Sequence, residues 1–349
     1  MAVITIIGAG MMGSALAFPA RENGHEVRLV GTPLDDEVIR AVRRDGRHPK
    51  LPKSFPQGVV SYTAAETKLA LEGADLVICG VSSFGVEWFG REILPILPDG
   101  IPVLSVTKGL WDTPDGRLLT YLDVWQQMLD EAGKQLSLNA IGGPCTSYEL
   151  VQGDHTEVVF CGRDPETLRY LRGLMATGTY HVGISTDVCG IESAVALKNG
   201  YALAVALTIG LNQRNFGIDS ELHFNSQAAV FGQAVSEMAL LLQHQGAGDI
   251  KNLCVGAGDL YVTVYGGRTR QIGILLGRGL DIDAARAELS GVTLESLVVA
   301  ERVARAVRIC AARGEIDAKK LPLLMHVDDI ITKKAPVDIP WDSFCLGEM

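Results

Sequence analysis

The sequence predicts an α/β protein: a doubly wound, largely parallel sheet over the first half and an all-α second half. Three observations carry that reading. Strand-length apolar runs alternate with helix-length segments up to about residue 185, the pattern of strands buried on both faces and joined by crossover helices. Beyond Thr186 the apolar residues fall at helical spacing over much longer stretches. A glycine-rich turn also separates the first strand from the first helix. The boundary falls at 186/187, giving domains over 1–186 and 187–349.

In chain order, "VITII" (3–7) is a continuous apolar run and the first strand. The helix after it contains Pro19, which removes a backbone donor and predicts a kink. "EVRLVG" (26–31), "ADLVICG" (74–80), "IPVLSV" (101–106), "LNAIGG" (138–143) and "TEVVFCG" (156–162) repeat the strand pattern, and "HPKLPKSFPQG" (48–58) is a proline-rich loop. In the second half "GIESAVALKNGYALAVALTIGL" (190–211) reads as a mostly buried helix, while 226–246 and 293–314 read as amphipathic ones. The tail "KKAPVDIPWDSF" is irregular.

Composition limits what such a chain does. Its 349 residues are 47% hydrophobic and 21% charged, enough for two domains with real cores. A net charge of -10 argues against a general nucleic-acid or anionic-membrane role, so an anionic ligand must be held by a few local cations. Cysteines 79, 145, 161, 189, 254, 310 and 345 form no Cys-x-x-Cys pair and no zinc spacing, and read as reduced, mostly buried thiols. The N-terminus enters a strand without a basic leader, and no uncharged run reaches the ~20 residues of a membrane span. A cytoplasmic protein follows as the expectation.

Chemistry begins at "GAGMMG". Gly8, Gly10 and Gly13, with Met11 and Met12 between them, stand directly between a strand and a helix, which makes the pattern a dinucleotide fingerprint of Rossmann type. The cofactor is NAD or NADP. No carboxylate stands at the end of the second strand, and Asp35 and Asp36 read as capping or beginning the next helix, so either dinucleotide is allowed. In the 190–211 helix Lys198 has Ala194, Val195, Tyr201 and Ala202 as its neighbours one turn away. An ammonium on an apolar face is costly unless paired or used. Partners stand in "GAGDLYVTVYGGRTRQ" (256–271), which holds Asp259, Thr263, Arg268, Thr269 and Arg270 among glycines.

Taken together these blocks resemble the NAD(P)-dependent glycerol-3-phosphate dehydrogenase family over nearly the whole chain. They are the fingerprint, "GVSS" (80–83), "TKG" (107–109), "GGP" with Glu149, "ALKN" (196–199), "GAGDL" with Thr263, and "GGRTR" (266–270), in the family's order. The resemblance implies hydride transfer between the nicotinamide and C2 of dihydroxyacetone phosphate or sn-glycerol 3-phosphate, in a cleft between a Rossmann domain and a helical domain. It gives Lys198 the place of the catalytic lysine, with Lys108, Asp259 and Thr263 completing the catalytic set. It gives Asn199, Arg268 and Thr269 to the substrate, with Arg270 as a second cation for the phosphate. It places Ser83, Phe84 and Glu295 near the cofactor beside the glycines. A homodimer is compatible with it.

Departures from the family's pattern touch the substrate's surroundings. Thr269 replaces an asparagine, Gln233 stands where arginine is common although Glu237 is kept, and 212–224 is an added segment after the catalytic helix. A dehydrogenase for another phosphorylated ketose or polyol, a ketopantoate-type reductase and a non-catalytic dinucleotide sensor are the alternatives. A sensor has no reason to keep Lys198, Lys108 and Asp259 together. Cys145 reads as packing, His48 and His155 as surface histidines without spaced partners, Phe84 equally as core filling, and Glu295 equally as a first-turn helix residue.

Overall fold

The apolar run that precedes the fingerprint is strand β1 (Val3–Ile7). In the computed structural model, which describes residues 1–344, it lies inside an eight-stranded sheet. The other strands are β2 (Glu26–Val30), β3 (Val59–Tyr62), β4 (Leu76–Cys79), β5 (Pro102–Ser105), β8 (Ser137–Gly142), β9 (Thr156–Gly162) and β10 (Tyr180–Ser185), while β6 (Leu110–Asp112) and β7 (Leu118–Thr120) pair separately. The order is β10-β9-β8-β5-β4-β1-β2-β3. Every neighbouring pair is parallel except β8 with β9. Ile7 is in register with both Val30 and Cys79, so β1 is central and its Ile4, Ile6 and Ile7 are fully buried, as the unbroken apolar run requires.

The described residues fall into two compact units. The first comprises Met1–Lys108 and Thr120–Glu192, and the second Gly109–Leu119 with the chain from Ser193 onward. Sequence alone puts one boundary at 186/187; the two units divide at 192/193 instead, and the chain crosses between them at 108/109 and 119/120 as well. The first helix is interrupted one turn before its proline: Met11–Ala15 and Ala17–Glu22 are separate helices joined at Leu16, because Pro19 has no N–H to offer the preceding turn.

The second unit is built on the Val188–Phe216 helix. By length and composition that helix could cross a membrane, but 94% of its most apolar window is buried inside the protein. It is a core helix. Phe224–His244, Ile250–Tyr265, Gly267–Gly277, Glu295–Ala312 and Pro322–Lys333 supply the other main helices of this unit. The added segment is partly the end of the core helix, and Asn212 Nδ2 ties it down by donating to Ser220 Oγ (3.1 Å) and Glu221 O (2.8 Å).

The β6–β7 ribbon is held to the Glu295–Ala312 helix by arginines. Arg305 chelates the Asp112 carboxylate with Nε at 2.5 Å and Nη2 at 3.0 Å. Arg302 donates to Leu110 O at 2.9 Å and lies over the Trp111 ring, 4.5 Å from its centroid. Gly116, at φ +81°, packs where a Cβ would come within 2.8 Å of Ile309.

Candidate active site

In the first unit β8, β5, β4 and β1 are parallel neighbours. Their carboxyl ends therefore lie side by side, the edge at which such sheets hold ligands. Gly8, Gly10, Met11, Met12 and Gly13 follow β1; Ser83 and Phe84 follow β4; Lys108 follows β5. Gly8 has φ +109°, and a Cβ on it would lie 2.7 Å from the Gly80 carbonyl carbon, while one on Gly13 would lie 2.5 Å from Gly8 O. The loops after β1 and β4 thus meet backbone to backbone. A Cβ on Gly10 would come no closer than 3.6 Å, to Gly80 O, so packing within the protein does not demand glycine there. No side chain caps the Met11–Ala15 helix, which leaves its first N–H groups to an anion. The arrangement fits a dinucleotide pyrophosphate. Phe84 is 61% exposed and fills no core.

Two further side chains hold the fingerprint loop, and sequence assigned both elsewhere. Asp35 occupies the N-cap position before the Asp36–Asp45 helix but makes no capping bond. Its Oδ2 instead accepts from Ala9 N (3.2 Å), Thr32 N (2.8 Å) and Thr32 Oγ1 (2.7 Å). His48 is not a surface histidine: it is buried, with Nε2 3.1 Å from Ala9 O and Nδ1 accepting from Lys50 N. Burial lowers its pKa. His155 is exposed but has a partner, stacking on His181 with centroids 5.2 Å apart. Lys108 Nζ donates to Gly143 O at 3.0 Å, bridging the loops that follow β5 and β8.

In the second unit the expected cluster forms. Lys198 Nζ lies 3.1 Å from Asp259 Oδ1 and donates to Thr263 Oγ1 at 2.7 Å, and that hydroxyl donates to Asp259 O at 2.7 Å. The ammonium's side chain is 10% exposed and the carboxylate's 2%. Asn199 is buried beside them in sequence. Small residues bring the two helices close enough. A Cβ on Gly256 would lie 2.9 Å from Ala194 Cβ and 3.0 Å from Ala194 O, so Gly256, one turn before Asp259, meets Ala194, one turn before Lys198. The glycines of the next helix serve the same end: a Cβ on Gly273 would lie 2.8 Å from Leu203 O, and one on Gly277 2.3 Å from Leu207 O. That helix begins at Gly267, with φ +82°, and carries Arg268 and Thr269 in its first turn.

Arg268 is half exposed and its Nη2 lies 3.9 Å from Glu295 Oε2, so Glu295, in the first turn of its own helix, faces the arginine. Arg270 donates to Val264 O at 3.1 Å, closing the end of the preceding helix. Of the six cysteines among the described residues, Cys79, Cys161 and Cys310 are buried, Cys145 and Cys189 half-buried and Cys254 exposed. Cys345 lies outside the described residues.

Gln233 is a core residue. It is 1% exposed and donates to Glu237 Oε1 at 2.9 Å. Glu237 also accepts from Tyr201 OH (3.1 Å), Leu323 N (2.8 Å) and Leu324 N (3.0 Å). Despite four donors, burial pushes its carboxyl up to about 7 from an ordinary 4.5. Between those values the folded chain holds a proton that the unfolded chain has released, so stability falls as pH rises through the window. Urea denaturation from pH 4.5 to 7 should show this fall, and Glu237→Gln should flatten it by up to about 1.4 kcal/mol per pH unit.

Similarity to known proteins agrees with this geometry. The family model described as NAD-dependent glycerol-3-phosphate dehydrogenase N-terminus matches residues 3–168, and the corresponding C-terminus model matches 187–341. The NADP(+)-dependent glycerol-3-phosphate dehydrogenase of Archaeoglobus fulgidus is 35% identical over 82% of this chain and 83% of its own. The glycerol-3-phosphate dehydrogenase [NAD(P)+] of Acidobacterium capsulatum is 29% identical over 96% and 95%. Among solved structures, glycerol-3-phosphate dehydrogenase from Coxiella burnetii superposes with a TM-score of 0.79 at 24% identity, covering 98% of this chain and 97% of that one. The Plasmodium falciparum enzyme gives 0.82 at 18%, covering 99% and 96%, and these two matches speak for the fold. With a fingerprint loop built for a dinucleotide and relatives of this kind along nearly its whole length, the chain belongs to the NAD-dependent glycerol-3-phosphate dehydrogenase family, oxidoreductases that use NAD or NADP.

Proposed function

We propose that the enzyme interconverts dihydroxyacetone phosphate and sn-glycerol 3-phosphate by hydride transfer at C2, with Lys198 as general acid and base. The first domain binds the dinucleotide, and the helical domain from residue 187 supplies the groups that act on substrate. The observation that carries the proposal is the Lys198 ammonium, buried in an apolar helix and oriented by Asp259 and Thr263. When bound, the dinucleotide supplies the hydride in one direction and accepts it in the other. Reduction of a ketone builds negative charge on its oxygen; a nearby ammonium in a dry site stabilises that charge and delivers the proton. In the oxidising direction the neutral amine takes the proton back from the hydroxyl. Asp259 and Thr263 fix where the nitrogen points, while Asn199 and Lys108 bond the substrate's oxygens.

Arg268 takes the phosphate, its planar fork of donors suiting a dianion. Arg268→Ala should raise KM for dihydroxyacetone phosphate by about 10- to 100-fold, the equivalent of a charge-assisted bond, and leave unphosphorylated dihydroxyacetone nearly unaffected. An equal loss on both substrates would remove phosphate recognition from its role.

A second reading, another phosphorylated ketose or polyol, rests on Thr269, whose hydroxyl stands next to Arg268 in place of an amide. Gln233 lends it no support, since its amide is spent on Glu237 in the core. The decisive assay follows NADH and NADPH oxidation with dihydroxyacetone phosphate and with tetrose and pentose ketose phosphates. Turnover of dihydroxyacetone phosphate no faster than in Lys198→Ala would overturn the primary reading; a preference for a longer ketose phosphate would establish the second.

A further inference from the structure

Three side chains of metal-ligand type converge in the second unit, away from every residue given a role above. His244 ends the Phe224–His244 helix, Cys310 lies in the last turn of the Glu295–Ala312 helix, and Glu315 follows the turn at Gly314. An imidazole nitrogen, the thiol sulfur and a carboxylate oxygen lie within 4.8 Å of one another. His244 and Glu315 are exposed, so a cation from solvent can reach them, and the buried Cys310 closes the site from below. No zinc motif has the spacing 244, 310, 315, which is why sequence does not reveal the group.

Positive charge already rests at this point. The Arg313 guanidinium bonds the two Glu315 oxygens at 2.7 and 2.8 Å, and its Nη2 lies 3.5 Å from Cys310 Sγ. Its Nη1 separately donates to Asp115 O at 2.7 Å. A metal ion would thus replace one cation by another on two of the three donors, and Arg313 has a second acceptor to keep it.

We propose that His244, Cys310 and Glu315 form a binding site for a single Zn²⁺-class divalent ion, which displaces Arg313 from Glu315. The donor set decides the class: a thiolate and an imidazole favour borderline-soft ions over Mg²⁺ or Ca²⁺, and a carboxylate completes three protein ligands with water as the fourth. On binding, the thiol's proton leaves to solvent. The bound ion ties the ends of the two helices together, so it stabilises the folded chain by mass action.

Co²⁺ titration of the full chain tests this without reference to catalysis, because a thiolate on Co²⁺ gives a near-ultraviolet charge-transfer band. The background is His155→Ala, His181→Ala, Cys254→Ser, which removes the exposed, stacked imidazole pair and the one exposed thiol among the described residues. One equivalent of Co²⁺ should produce the band and Zn²⁺ should bleach it. Cys310→Ser should abolish the band, exposed His244→Ala should weaken binding by more than about 100-fold, beyond the loss of an outer-sphere partner, and Arg313→Ala should tighten it. A band that survives Cys310→Ser, or no band at all, overturns the site; affinity unchanged or weakened in Arg313→Ala overturns the displacement.

Discussion

Lys198→Ala is expected to bind NADH and NADPH as the parent enzyme does and to turn over dihydroxyacetone phosphate at least about 10²-fold more slowly, the loss typical of an acid–base group. Binding should survive because the fingerprint loop lies in the first unit, where it is held by Gly80, Asp35 and His48. Turnover should fall because both jobs proposed for the ammonium, neutralising the developing alkoxide and donating its proton, are lost at once. Fluorescence titration gives the first quantity and steady-state kinetics the second. An unchanged rate would reject Lys198 as the acid–base group.

Asp259→Ala should cost the fold more than it costs cofactor binding. Removal of the carboxylate leaves an ammonium at 10% exposure without its counter-charge, a situation worth about 3–5 kcal/mol of destabilisation. Urea denaturation should report it. The double variant Lys198→Met, Asp259→Leu replaces both charges by apolar groups and should recover most of the lost stability while staying inactive, since replacing a buried pair is often neutral where breaking it is not. A double variant as unstable as Asp259→Ala would show that the loss comes from packing and not from the stranded charge.

Much of this arrangement was legible in the sequence because it rests on local pattern. All six apolar runs are strands, and the lysine, aspartate and threonine expected to meet do meet. What escaped depends on long-range partners. The strands β3 and β10 sit at the two edges of the sheet, partly exposed, and lack an unbroken apolar run. Asp35 reads as a helix cap, yet its carboxylate holds Thr32 and reaches Ala9, within the fingerprint loop itself. His48 sits in a proline-rich stretch that reads as exposed, and only its bond to Ala9 O explains its burial. Gln233 could not be told from a substrate contact until Glu237 was seen to hold it.

The β6–β7 ribbon has a consequence for anyone who divides this chain. It is encoded in the middle of the half that forms the eight-stranded sheet, yet Asp112 and Leu110 are satisfied by Arg305 and Arg302 of a helix about two hundred residues downstream. A fragment ending at Glu192 would carry a carboxylate and a buried leucine stripped of their lid, an invitation to insolubility. Chimeras between relatives should therefore exchange residues 109–119 with the helical half and not with the sheet that surrounds them in the gene.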